Sequence, residues 1–124
     1  MTTTILVIED ERLTRNSLIS FLRSEGFTTL DASNGHTGIK LAQQHLPDLI
    51  ICDILMPDLD GYDVLTTLQG DTQTAGIPFI FLTVTATEEG LQQSIDMGAD
   101  DYLSKPITSE KLRSAIEAQL KKSR

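Results

Sequence analysis

Glu9, Asp10 and Asp53 are three acids that close two short apolar runs, TILVI and LIIC, while Thr83 follows FIFL and Lys105 follows DYLS. If those runs are neighbouring parallel strands, all five side chains converge on one edge of a sheet. Carboxylates packed together repel one another, and such a group commonly holds a divalent cation. Asp10 and Asp53 can each give an oxygen to octahedral Mg2+, with Glu9 standing behind them or acting through a water. Once the cluster is neutralised, the free oxygen of Asp53 is a competent nucleophile toward a phosphoryl group. The Lys105 ammonium and the Thr83 hydroxyl would then meet phosphoryl oxygens. A metal-assisted phosphoryl site is the chemistry these types and spacings support.

Positioning such a site requires the right framework, and apolar runs alternate with helical patterns along the whole chain. Strands are expected at 4–8, 28–32, 49–52, 79–82 and 102–104. The first helix carries Leu18, Phe21 and Leu22 and ends near Gly26. A second carries Ile39, Ala42 and Leu46 and stops at Pro47. The third follows Gly61 with Val64, Leu65 and Leu68 inward, and the fourth starts after Thr87, a suitable N-cap before Glu88 and Glu89. The fifth, from Ser109, shows Leu112, Ala115, Ile116 and Leu120 as its apolar stripe. Five such units imply an α/β fold: a flavodoxin-like five-stranded parallel sheet, order 2-1-3-4-5, with five helices on both faces. Ligands of that architecture bind beyond the strand ends where the order reverses, between strands one and three.

A chain of 124 residues suits one domain spanning 1–124, with 121–124 as the possible start of a linker. The formal net charge of -8 argues against direct nucleic-acid binding by the general surface. Lys121, Lys122 and Arg124 form the one basic cluster, at a helix end where cations suit the dipole. The N-terminus reads as neither signal peptide nor membrane span, and the lone Cys52 reads as a small core residue; a cytoplasmic setting is expected. His36 and His45 read as solvated helix residues away from the site.

The stretches VIEDE, DLIICDILMPDLDGYD, IPFIFLT and GADDYLSKP resemble the receiver domain of two-component response regulators over nearly the whole chain. The resemblance implies that Asp53 is the phosphoacceptor, that Glu9, Asp10 and Asp53 bind Mg2+ (or Mn2+), and that Thr83 and Lys105 contact the phosphate. Thr83 and Tyr102 would form the switch, with Tyr102 filling the space that Thr83 vacates. The implied donor is a sensor histidine kinase or histidine phosphotransfer protein, and the implied target is a downstream effector protein or domain that reads the surface of helix 4, strand 5 and helix 5. The domain would promote only its own phosphorylation and dephosphorylation, and is not otherwise an enzyme.

Two positions depart from the family pattern. Val84 stands where a small residue usually guards access to the aspartate, so slow phosphorylation or hydrolysis is expected. Glu9 replaces the commoner Asp. Winged-helix transcription-factor receivers resemble the chain closely, yet Leu91, Lys111 and Ala115 occupy the positions aligned with their dimer-forming charges. The alternative reading, a Mg-dependent phosphatase using an aspartyl nucleophile, needs an acid two residues after Asp53, where Leu55 stands. A flavin or dinucleotide carrier needs a Gly-rich or Ser/Thr-rich loop after the first strand, where backbone amides meet phosphate; this chain has Glu9, Asp10, Glu11 and Arg12 there, and the three acids would repel a nucleotide's phosphates.

Overall fold

The computed structural model describes residues 2–122. Along the chain run β1 (Thr4–Ile8), α1 (Arg12–Ser24), β2 (Thr28–Ala32), α2 (Gly35–His45), β3 (Leu49–Asp53), α3 (Gly61–Gln69), β4 (Phe79–Thr83), α4 (Glu88–Met97), β5 (Asp101–Ser104) and α5 (Ser109–Lys122). All strands pair in parallel, in the order β2-β1-β3-β4-β5 expected from the alternation of elements. Asp53 and Thr83 are the last residues of their strands rather than the first beyond them. Lys121 and Lys122 continue α5, and Arg124 lies outside the described residues.

Successive residues of a strand point to opposite faces, so each central strand feeds two cores. Leu6, Ile8, Ile50, Cys52, Phe79 and Phe81 pack on one side with Ala42 of α2 and Val64, Leu65 and Leu68 of α3. Ile5, Val7, Leu49, Ile51, Ile80 and Leu82 pack on the other with α1 and α5. Each large side chain buried this way contributes about 1.5–3 kcal/mol, which makes β1, β3 and β4 a rigid platform for whatever their ends carry. Cys52 is a core residue as expected, and burial first, then the Asp53 charge, pushes its thiol well above the ordinary range.

The helices begin where side chains satisfy their first amides. Glu11 accepts from Leu13 N and Thr14 N, Asn34 from Thr37 N, and Thr87 from Gly90 N. Asp60 and Asp63 cap α3 reciprocally, so the turn before it is a capping box. Gly26 adopts φ 91° after α1, where a side chain would be strained. Leu46 departs from expectation. It does not join the inward stripe of α2 but takes a left-handed conformation at the C-cap, 48% exposed, because the following Pro47 disfavours the helical region for its predecessor. α4 is the lightly anchored helix, with Ser94 its one fully buried residue.

Candidate functional site

Strand register assembles the site. Ile8 pairs with Cys52, so Glu9 emerges beside Asp53 at the reversal between β1 and β3. Asp53 pairs with Leu82, and Lys105 N donates to Thr83 O at 2.8 Å, which places Lys105 next to the end of β4. The carboxylates of Glu9, Asp10 and Asp53 each offer an oxygen within 4.8 Å of the others. Glu9 and Asp53 are buried, whereas Asp10 is open to solvent. Desolvation, followed by the hydrogen bond and charge of Glu9, raises the Asp10 carboxyl above its usual range. A cluster of hard oxygen donors, closed at its floor and open at one rim, fits a divalent cation that keeps several waters.

Lys105 reaches into this cluster. Its ammonium hydrogen-bonds Glu9 Oε1 and lies 3.2 Å from Asp53 Oδ2, with its side chain only 13% exposed. Burial pulls the ammonium's pKa down, but the Glu9 hydrogen bond and the charges of Asp53 and Glu9 outweigh it, so the net shift is upward. Sequence reasoning brought these four residues to one rim, and the structure does the same. It did not anticipate that lysine would pair with Glu9. The Lys105–Pro106 peptide bond is cis.

Arg15 escaped the sequence reading altogether. From the first turn of α1 its Nη1 donates to Glu9 O at 2.8 Å and approaches Asp10 O at 3.5 Å, while its Nε lies 3.3 Å from Asp31 Oδ2. The only available signal was an arginine one helical turn and a half beyond an acid pair, and such spacing is common. His36 is solvated as expected, yet its Nε2 lies 2.8 Å from Asp58 Oδ2 on the loop that follows β3.

Thr83 is buried, and its Oγ1 accepts from Thr85 N at 3.2 Å. It lines a cleft of about 310 Å³ together with Ile54, Leu55, Tyr62, Thr87 and Tyr102. The Tyr102 hydroxyl accepts from Thr87 N at 3.2 Å, and a Cβ added to Gly90 would collide with that hydroxyl. Tyr102 therefore already lies against α4, half-buried. Val84 is 63% exposed and borders a groove of about 490 Å³ with Leu13, Lys105, Pro106 and Ile107. Leu91 is exposed on α4, whereas Ala115 is largely buried and forms part of the floor of an open groove that Lys111 also lines.

Residues 5–117 match the family model described as the response regulator receiver domain. Protein PilH of Pseudomonas aeruginosa is 36% identical over 94% of this chain and 96% of its own length. Histidine kinase P4 of Formosa agariphila is 35% identical over 92% of this chain, which spans 8% of that protein. The chain also spans about half the length of several transcriptional regulators it matches. Among solved structures, the chemotaxis protein CheY4 of Vibrio cholerae superimposes with a TM-score of 0.92 at 25% identity, covering 97% of this chain and all of that one. With its sheet order and its acidic rim already established, the chain belongs to the response regulator receiver domains of two-component signalling systems.

Proposed function

We propose that Asp53 is the phosphoacceptor of this receiver and that Glu9, Asp10 and Asp53 hold Mg2+, or Mn2+ in its place. The observation that carries this reading is the convergence of three carboxylates with Lys105 at the β1–β3 reversal. A bound divalent cation would supply charge neutralisation for an anionic phosphoryl group approaching anions. An Asp53 carboxylate oxygen forms a bond to phosphorus as the phosphorus–nitrogen bond of a donor phosphohistidine breaks, and the imidazole keeps the electron pair and takes a proton. The donor is a sensor histidine kinase or a histidine phosphotransfer protein. Lys105 and Thr83 contact the transferred group, Thr83 giving up its bond with the Thr85 amide to do so.

That exchange moves the segment linking β4 to α4, which carries both Thr85 and Thr87. Since Tyr102 is bonded to Thr87 N, the switch couples the end of β4 to the start of α4, and an effector protein or domain reads the resulting surface. Val84 restricts access from the groove beside Lys105. The chain acts as one receiver unit in the cytoplasm and promotes only its own phosphorylation and dephosphorylation. Leu55, apolar and 55% exposed two residues after Asp53, offers no general acid or base for a phosphatase.

Intact-mass analysis after exposure to a small phosphodonor with Mg2+ tests the reading. The parent should gain one phosphoryl group, which Asp53→Asn should not; labelling of Asp53→Asn equal to the parent would reject Asp53 as the acceptor.

A further inference from the structure

The geometry points to Arg15 as a positioning residue for the acid pair: anchored on Asp31, its guanidinium holds the Glu9 and Asp10 carbonyls and so sets the direction of both carboxylates. This inference rests on the metal reading above and adds to it a residue that touches neither metal nor phosphoryl group.

Glu9 and Asp10 lie in the turn between β1 and α1, where ladder hydrogen bonding stops. Glu9 N still donates to Ala32 O at 3.0 Å, but among the described residues no backbone amide beyond the strand ends donates to the Glu9 carbonyl. Arg15 supplies the partner at 2.8 Å and shares a second, longer contact with Asp10 O. A guanidinium is rigid and planar, with donors in a fixed fork. With Nε directed at Asp31 at the end of β2, Nη1 has a fixed location, and the two carbonyls it meets are fixed in turn. Fixing consecutive carbonyls fixes the peptide planes between them, and the Cβ directions of Glu9 and Asp10 follow. The Arg15 side chain is 14% exposed, so water competes little for these bonds. Lysine could not reproduce the arrangement, because a single ammonium lacks the fork that spans Asp31 and the turn.

Residues that orient metal ligands from behind typically change metal affinity by on the order of tenfold when removed. Calorimetric titration with Mg2+ alone, well below the melting temperature, should show Arg15→Met binding on the order of tenfold more weakly than the parent, with Arg15→Lys between them. Amide NMR of the metal-free proteins should show displaced Glu9, Asp10 and Glu11 signals in Arg15→Met, with α5 signals unmoved. Asp31 is half exposed, so Asp31→Asn provides a variant that keeps its fold if Arg15→Met does not. It should weaken Mg2+ binding by a smaller factor and add nothing to Arg15→Met. Parent-like Mg2+ affinity in a folded Arg15→Met, or in Asp31→Asn should Arg15→Met not fold, would overturn the inference. A parent that binds no Mg2+ would instead overturn the metal reading on which it rests.

Discussion

Lys105 Nζ lies 3.2 Å from Asp53 Oδ2 while also hydrogen-bonding Glu9, so the two buried carboxylates of the site share one ammonium. Removing it leaves two acids buried without a cation, and breaking such a pair typically costs about 3 kcal/mol. Lys105→Met should therefore lose about 3 kcal/mol at pH 7 in urea unfolding. Mg2+ should raise its melting temperature more than the parent's, because the ion replaces the missing charge. The folded-state pKa of Lys105 lies above its ordinary 10.5, so its contribution is fully present below that value and is lost as pH rises through the folded value. The gap between parent and variant should accordingly stay constant from neutral pH to about 10 and narrow beyond.

Gly61 opens α3 against the end of β3, the strand that terminates in Asp53. A Cβ there would lie 2.5 Å from Asp53 O and 2.8 Å from Ile54 Cα, both backbone atoms that cannot rotate away. Gly61→Ala should destabilise the protein by about 2 kcal/mol, measured by chemical denaturation, and should reduce phosphorylation of whatever remains folded. Parent-like stability would mean that the loop relaxes freely around position 61.

Val84 is largely solvated, so Val84→Ala should change stability by less than about 0.5 kcal/mol. If it limits access to Asp53, the smaller side chain should speed phosphorylation by a small-molecule donor or hydrolysis of the phosphorylated protein. A rise of about threefold corresponds to less than 1 kcal/mol of barrier. Identical rates for both steps would remove the gating role.

Tyr102→Phe removes only the hydroxyl that accepts from Thr87 N at 3.2 Å. Losing a net hydrogen bond of about 1 kcal/mol should accelerate amide exchange at the start of α4 roughly fivefold, while exchange in β1 and β3 stays as in the parent. Gly90→Ala, whose methyl would collide with that hydroxyl, should loosen the same amides even though alanine is the better helix former. Slower exchange at α4 in Gly90→Ala would show that helix propensity outweighs the collision.

The five strands, the five helices and the rim they share were legible in the residues because each signal is local. Runs such as LIIC and FIFL are too apolar to lie anywhere but a buried sheet, and Thr87 or Asp60 marks a helix start through its own side chain. Strand order was inferred from the alternation of elements: right-handed crossovers leave few arrangements, and the flavodoxin-like order is the five-strand solution among them. Leu46 was misplaced because apolar spacing carried it into α2, while its backbone answers to Pro47.

The sequence by itself determined which side chains reach the C-terminal edge, since that depends on where each apolar run stops. What only the tertiary structure decided is how those side chains pair. Lys105 meets Glu9 across 96 positions of chain, Arg15 chooses the carbonyls of the turn before its own helix, and Tyr102 settles on Thr87 and Gly90. Charge and size at one position do not specify a partner; burial does, because a desolvated ammonium, guanidinium or hydroxyl must take whichever acceptors and donors the packed backbone brings within reach.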